Sequence, residues 1–250
     1  MAEVVGRVTP AVLGFLQIKQ GGEKYMNAET FVYGSQRAIS AFNSKTTFGE
    51  LVLLRLNQAI ALVLLFGLSP VLLAIAFFIW QKDGAPILYG HYRVGLGGKL
   101  FRCFKFRSML LDSERVLADL LRDDPKSRAE WEADQKLRDD PRITPVGRFL
   151  RSSSLDELPQ LLNVLRGEML LVGPRPVTVA ELTRYGIVRW HYLSVRPGIT
   201  GLWQVSGRNN TTYEERVALD ARYVEGRSLK SDLGILLRTV LVVVLKDGAR

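Results

Sequence analysis

Ser154-Leu155-Asp156-Glu157-Leu158-Pro159-Gln160-Leu161-Leu162-Asn163-Val164-Leu165-Arg166-Gly167 is the stretch on which the reading of this chain turns. Two adjacent carboxylates stand where a helix should begin. Ser154, followed three residues later by Glu157, has the form of a capping box. Leu158, Leu161, Leu162 and Leu165 repeat at helical spacing, and Gly167 supplies a stop. Pro159 fits a helix that starts near Asp156 or later, because proline is tolerated in a first turn. Asp156 and Glu157 would then lie beside free backbone N–H groups at the positive end of a dipole. That setting keeps carboxylates ionised and attracts phosphate. Acids are common in first turns, so the pair alone reads first as a helix cap; the basic residues around it change that reading.

Outward from this stretch, the upstream run Arg142-Ile143-Thr144-Pro145-Val146-Gly147-Arg148-Phe149-Leu150-Arg151 brings Arg142, Arg148 and Arg151 close in sequence. Leu110 to about Asp139 reads as a charged amphipathic helical region, broken near Asp123-Asp124-Pro125, with Leu111, Val116, Leu117, Leu120 and Leu121 on its buried side. Ile87 to Tyr89 and Leu100 to Met109 read as a hairpin across the glycine-rich loop His91 to Lys99. Period two puts Lys105 and Arg107 on one face of the second strand. Downstream, Met169 to Val172 is a short apolar strand that runs into Gly173-Pro174-Arg175-Pro176. The prolines restrict the backbone on either side of Arg175 and so aim it. Val177 to Trp190 reads as one helix. Arg196 to Asn209 is a long loop holding several glycines, Trp203 and Arg208, of the kind that usually carries function. Thr211-Thr212-Tyr213-Glu214 opens another helix, which Gly226 ends. Asp232 to Leu245 is a strongly apolar helix. Its uncharged run after Arg238 is too short to span a bilayer, which leaves a core helix or one lying in the membrane plane.

One segment carries a membrane signal. From Ala59 to Trp80 there is no charge, and at about 1.5 Å per residue the run reaches roughly 33 Å as a straight helix. Ser69-Pro70 falls in its middle. Pro70 cannot donate to the carbonyl of Phe66, and Ser69 can turn its hydroxyl back to a carbonyl three or four residues earlier, so a sharp bend is expected. A kinked spanning helix is the default reading of this pattern, and a hairpin that enters and leaves by one face is the sharper alternative. The flanks are basic on both sides, with Arg37, Lys45 and Arg55 before and Lys82 and Arg93 after, which favours both ends on the cytosolic side. Residues 1 to about 45 show no clear period. Val12, Leu13, Phe15, Leu16 and Ile18 form at most a short amphipathic helix, and no signal-peptide pattern is present.

The 250 residues are enough for one domain with an appendage. With 34 Lys+Arg against 25 Asp+Glu, the formal net charge is +9, which points to anionic partners: nucleic acid, lipid head groups or phosphorylated substrates. The single cysteine, Cys103, excludes an intramolecular disulfide and a Cys-based zinc cluster. His91 and His191 are too isolated for a metal site. A nucleic-acid-binding protein would explain the charge but not Ala59 to Trp80, and no recognition motif appears. A non-catalytic basic membrane-associated scaffold would explain the anchor but not Asp156-Glu157 among aimed arginines.

The order Lys105-Phe106-Arg107-Ser108-Met109, Leu155-Asp156-Glu157-Leu158-Pro159-Gln160-Leu161, Gly173-Pro174-Arg175-Pro176 and Arg196-Pro197-Gly198-Ile199-Thr200-Gly201 resembles the bacterial sugar transferase family, the monotopic phosphoglycosyl transferases. The resemblance runs from about residue 50 to the C-terminus and includes Ser69-Pro70. The chain departs from the family at Asn57, where an Asp is usual. Residues 1–45 do not look like the multi-helix extension of the long members, so the chain resembles a short form. The resemblance implies an α+β fold: a re-entrant membrane helix-break-helix, and a mainly helical cytosolic domain with a small β-hairpin or sheet and interfacial amphipathic helices. It divides the chain into an extension at 1–48, a membrane segment at 49–82 and a catalytic domain at 83–250.

The reaction it implies moves a sugar-1-phosphate from a UDP-sugar to polyprenyl (undecaprenyl) phosphate, with release of UMP. This is the first membrane step of exopolysaccharide, capsule, O-antigen or glycoprotein glycan synthesis. Asp156 matches the nucleophile that carries the phosphosugar, and Glu157 the residue that helps hold Mg²⁺. Lys105, Arg151, Arg175 and Arg208 match cations that contact the phosphates, and Arg107 and Arg196 stand in the same motifs. The implied location is the cytosolic face of the bacterial inner membrane, with membrane lipids and a second copy of the chain as further partners and no nucleic acid.

Overall fold

The computed structural model describes residues 17–20, 24–27, 47–134, 137–207 and 211–244. Strands β1 (Gln17–Gln20) and β2 (Lys24–Asn27) pair antiparallel. Ile18 therefore lies in a strand and not in the expected amphipathic helix, the rest of which falls outside the described residues.

The apolar segment folds as two helices, α1 (Phe48–Gly67) and α2 (Ser69–Asp83), broken at Leu68. Thr47 and Glu50 close a capping box at the start of α1. The break has the chemistry expected of it. Pro70 brings no N–H, and the Phe66 carbonyl accepts instead from the Ser69 hydroxyl at 2.7 Å and from the Leu68 N–H. Both helices then lie on the body of the protein. On α1, Ala61 is buried and Gln58 Nε2 donates to the Leu165 carbonyl at 2.8 Å. Asn57 accepts from the Leu171 N–H at 2.9 Å and donates to the Leu53 carbonyl at 2.8 Å, so the amide ties α1 to the backbone at Leu171. On α2, Ile75 and Ile79 pack with Phe106 and Leu150. The opposite faces are bare: Leu56, Val63, Phe66, Leu73, Phe77 and Trp80 are exposed. By length and composition α1 is one helix long and apolar enough to cross a membrane.

The expected hairpin forms from β3 (Leu88–Val94) and β4 (Leu100–Phe106), with Tyr89 opposite Lys105 and His91 opposite Cys103. Phe101 and Cys103 are buried on one face, as period two requires, and Phe106 at the end of the strand is buried on the other. Helices α3 (Ser113–Asp123) and α4 (Pro125–Asp134) meet at Asp124, where the sequence places the break. Helix α5 (Pro145–Ser152) is capped by Thr144, and its Gly147 is obligatory: a Cβ there would stand 2.0 Å from the Ser108 carbonyl oxygen.

The central stretch departs from its sequence reading. Ser154 adopts a left-handed conformation (φ 57°) and makes no side-chain cap, so the capping box is absent. Leu155–Gln160 form a 3₁₀ turn, and the α-helix α6 spans only Leu161–Leu165. Pro159 is the physical reason, since inside the stretch it removes the N–H a continuous α-helix would need. Gly167 does stop the helix, with φ 73°. Asn163 on α6 is completely buried and clasps the edge of β4. Its Oδ1 accepts from the Phe104 N–H at 3.0 Å, and its Nδ2 donates to the Arg102 carbonyl at 2.8 Å.

Two more corrections concern the C-terminal half. The single helix expected over Val177 to Trp190 is α7 (Val179–Thr183) and α8 (Arg189–Leu193), separated at Gly186 (φ 53°). The loop after Arg196 contains a strand: β6 (Gly198–Thr200) pairs in parallel with β5 (Leu170–Val172). Helix α9 (Tyr213–Glu225) has a Thr212–Glu215 capping box and ends at Gly226. Helix α10 (Leu229–Val244) buries Ile235 but exposes Leu229, Leu233, Leu237, Val240 and Leu241, so it is a surface helix with a bare apolar stripe and not a core helix. The whole is mainly helical with small two-stranded sheets.

Replacing Asn163 by Leu leaves the Phe104 N–H and the Arg102 carbonyl buried without their partner, at a cost of about 1–3 kcal/mol for each group. Thermal unfolding of the detergent-solubilised variant should show a midpoint lower by several degrees. An unchanged midpoint would mean that the clasp is dispensable.

Candidate active site

Asp156 and Glu157 are delivered by the 3₁₀ turn that follows the left-handed Ser154. Strand β4 brings Lys105 against them: its Nζ lies 2.6 Å from Glu157 Oε1 and 3.7 Å from Asp156 Oδ2. Arg175 arrives from the other side, with Nη1 3.4 Å from the same Glu157 oxygen.

The turn that carries Arg175 is fixed backbone to backbone. Gly173 N–H donates to the Thr200 carbonyl at 2.9 Å, and Gly198 N–H to the Pro174 carbonyl at 2.8 Å. A Cβ on Gly198 would stand 2.0 Å from Gly173 N, so the two glycine-proline motifs interlock only because a side chain is missing there. The Arg175 guanidinium sits 6.0 Å from the centre of the Trp203 ring, and that of Arg216 4.9 Å from it. Arg151, at the end of α5, donates from Nε to the Ser108 hydroxyl at 2.8 Å. One cavity of about 820 Å³ is lined by Lys105, Arg107, Arg151, Asp156, Glu157 and Arg175, among others.

Burial dominates the electrostatics. Asp156 is only 8% exposed, and desolvation raises its pKa above the ordinary carboxylate value. Lys105 pulls the other way, Glu157 adds to the rise, and Arg151 and Arg175 oppose it. The helix dipole expected to keep the pair ionised is not in place, because no long helix starts there. Burial lowers the pKa of Arg151, against which the charges of Asp156 and Asp140 work. Cys103, on the same strand as Lys105, is pushed up to about 11 by burial and is therefore a packing residue and not a thiolate.

Among the described residues, no three His, Cys, Asp or Glu side chains converge as a metal cage. The adjacent carboxylates of Asp156 and Glu157 nevertheless fit a hard cation such as Mg²⁺, which commonly takes one or two carboxylates and completes its shell with water and substrate phosphate.

Of the residues expected at the site, Asp156, Glu157, Lys105, Arg151 and Arg175 come together. Arg107 lines the cavity but stands beyond the end of β4, so it shares no strand face with Lys105. Its Nη2 donates to the Asp83 and Gly84 carbonyls at 2.6 and 2.7 Å, which ties down the end of α2. Nε and Nη1 of Arg107 are buried without a hydrogen-bond partner among the described residues. Arg196 is not brought to the site. Its Nε donates to the Gly167 carbonyl at 2.9 Å, and the side chain lines a separate cleft with Glu50 and Arg227. Arg208 lies outside the described residues.

Sequence reasoning missed the clasp of Asn163, although a lone amide inside a leucine repeat was visible. It also missed Glu181, which closes a capping box with Thr178 and holds Arg93 at 2.7 Å; the Thr178-to-Glu181 spacing was the available sign.

A carboxylate pair and the cations Lys105, Arg151 and Arg175 thus line one cavity beside a broken helix whose outer face is bare and apolar. The chain belongs to the bacterial sugar transferase family, whose profile matches residues 50–246. It is 47% identical over 240 residues to the undecaprenyl-phosphate galactose phosphotransferase of Salmonella typhimurium, covering 87% of this chain and 50% of the relative. It is 57% identical over 181 residues to an uncharacterized sugar transferase of Haemophilus influenzae, covering 72% of this chain and 38% of the relative. It is 48% identical over 190 residues to the exopolysaccharide production protein ExoY of Sinorhizobium fredii, covering 76% of this chain and 84% of that protein. The chain thus spans half or less of the first two relatives.

Titrating Asp156 through its carboxyl carbon shift should give a midpoint above the ordinary Asp value of about 3.9. Lys105→Met should move the midpoint further up, because Lys105 favours the charged form. A midpoint that ignores this substitution would remove Lys105 from the electrostatics of the acid.

Proposed function

We propose that this chain transfers a sugar-1-phosphate from a UDP-sugar to polyprenyl phosphate through a covalent phosphosugar on Asp156. The observation that carries the reading is the buried Asp156 held beside Glu157, with Lys105, Arg151 and Arg175 facing one cavity. The name of the Salmonella relative, an undecaprenyl-phosphate galactose phosphotransferase, supports it.

In the first step an ionised Asp156 oxygen attacks the sugar-bearing phosphorus. The new O–P bond forms as the bond to the UMP oxygen breaks, and UMP leaves with that electron pair. In the second step an oxygen of polyprenyl phosphate attacks the same phosphorus and the Asp156 carboxylate leaves, which gives polyprenyl-diphosphate-sugar. Lys105 favours the ionised form of Asp156 against the pull of burial. Arg175 and Arg151 are preorganised cations for charge that spreads over the phosphoryl oxygens, which is where such catalysis gains most. Glu157 would hold Mg²⁺ together with substrate phosphate oxygens, and the ion would neutralise diphosphate charge.

The same reading sets the topology. The segment from about Leu56 to Trp80 dips into one leaflet and returns, with positions 45 and 85 both on the cytosolic side. Support comes from the break at Leu68, from Ser69 and Pro70 that form it, and from the packing of both halves on one body. A straight spanning helix would carry one half out of reach of that body.

Asp156→Asn should abolish turnover and leave no trappable phosphosugar adduct, while membrane association is retained. Near wild-type turnover in a deamidation-checked sample would refute the covalent role. Chelating divalent ions should silence the wild-type chain, and full activity in excess chelator would remove Mg²⁺ from the scheme.

For the topology, single cysteines at 45 and 85 in a Cys103→Ser background should both resist an impermeant thiol reagent applied to intact cells. Labelling of 45 but not 85 would establish a spanning helix.

A further inference from the structure

The two-step transfer constrains where the lipid goes. UMP departs opposite the attacking Asp156 oxygen. The acceptor oxygen must then enter along that same line, opposite the Asp156 oxygen that leaves. Nucleotide and lipid therefore use one phosphate position in turn. A polyprenyl chain is far longer than the cavity and apolar throughout, so it needs an exit onto an apolar surface.

The cavity that holds Asp156 reaches such a surface: Leu64 and Leu68, at the broken end of α1, and Leu236 and Thr239 of α10 are among the residues that line it. The one hydroxyl in this group is satisfied: Thr239 Oγ1 lies 2.7 Å from Thr200 Oγ1 and donates to the Ile235 carbonyl at 2.8 Å. The neighbouring surface of the two helices is apolar, with Phe66 84%, Leu237 61%, Val240 61% and Leu241 60% exposed. Arg238 is the charged residue of this stretch of α10 and has an aliphatic stem long enough to reach a lipid–water boundary. Leu88, Leu110 and Leu111 line another part of the cavity, next in sequence to the exposed ion pair of Asp112 and Arg115, which suits a lipid tail less well.

We propose that the passage between Leu64/Leu68 and Leu236/Thr239 is the acceptor-tail subsite, through which the polyprenyl chain leaves the cavity for the bilayer. This rests on the function proposed above and adds to the helix break a second consequence: ending α1 at Gly67 leaves Leu64 and Leu68 at the edge of the reaction chamber.

The test uses the full chain in lipid nanodiscs and separates the half-reactions. Isotope exchange between UMP and UDP-sugar, without acceptor, reads the first step; the KM for a long-chain polyprenyl phosphate and for a two-isoprene analogue reads the second. Leu68→Trp and Leu236→Trp should raise the long-chain KM at least tenfold. The short-acceptor KM should rise less than threefold, and UMP exchange should fall less than threefold. Leu111→Trp, in that other part of the cavity, should leave the long-chain KM within twofold.

An unmoved long-chain KM in the Leu68 and Leu236 variants, an equal rise for short and long acceptors, or a rise in Leu111→Trp instead would overturn the proposal. If the tryptophan variants do not fold, the wild-type chain gives the answer with a polyprenyl phosphate that carries a photoreactive group in its tail. Adducts should then fall within residues 61–72 and 233–242, and adducts at Leu88, Leu110 or Leu111 would place the tail in that other part. Absence of both UMP exchange and turnover in the wild-type chain would sink the function itself, a result separate from any of these.

Discussion

The side chain of Asn163 joins the two parts of the molecule that make the site. Lys105 sits on a strand, and Asp156 and Glu157 on a turn some fifty positions later; neither element specifies the other locally. A buried amide that accepts from the Phe104 N–H and donates to the Arg102 carbonyl fixes the strand edge against α6. The 3₁₀ turn runs directly into α6, so fixing that helix also fixes the carboxylates. Nδ2 also donates to Glu168 Oε2 at 2.7 Å, and the Asn163 carbonyl accepts from the Glu168 N–H at 3.0 Å, which sets the approach to β5 and thus to Arg175. Three of the converging segments are therefore referenced to one residue whose polar atoms are all satisfied in a dry interior, where such bonds are strongest.

Against that frame the charges are arranged in partial opposition. Desolvation makes the ionised Asp156 costly, and the cations around it recover part of the cost. Lys105 is shared unequally, 2.6 Å from Glu157 and 3.7 Å from Asp156. The result is a carboxylate less satisfied than its neighbour, a fitting state for the group proposed to form a bond to phosphorus. The backbone that carries Arg175 is locked to β6 at Gly173 and Gly198, where any side chain would collide.

Much of this was readable in the sequence, for reasons that differ by residue. The helix break at Ser69-Pro70 was legible because proline's missing donor is a local fact. The hairpin and the buried pair Phe101 and Cys103 followed from a period of two, whereas Phe106 is buried out of that phase, against α2 and α5. Thr211-Thr212-Tyr213-Glu214 was legible as a helix opening, and Gly226 as its end. What failed was decided by distant contacts. Ser154 looks like a cap, yet the chain needs a left-handed residue there to turn Asp156 inward. Residues 198–200 form a strand only because 170–172 lie alongside, and three residues beside a Pro-Gly step carry no strand signature. Arg107 and Arg196 sit in the right motifs, but spacing says nothing about where a long side chain ends, and both hold backbone carbonyls. Among the leucines of the central stretch, the polar residue mattered most and was passed over.

The packing of α1 and α2 has a consequence for how the chain is made. Every surface described here that covers them comes later in the sequence: Leu165 and Leu171 for α1, Phe106 and Leu150 for α2. On the ribosome, residues 48–83 therefore emerge with no protein partner to cover their apolar sides, and domains fold in the order in which they are synthesised. On the topology proposed above, lipid would receive the helix pair first, with Asn57 donating to the carbonyl of Leu53 within its own helix and its oxygen open until Leu171 appears. The bilayer would then be the template on which the rest of the chain assembles, and the timing of translation, as well as the final fold, would decide whether the two are joined.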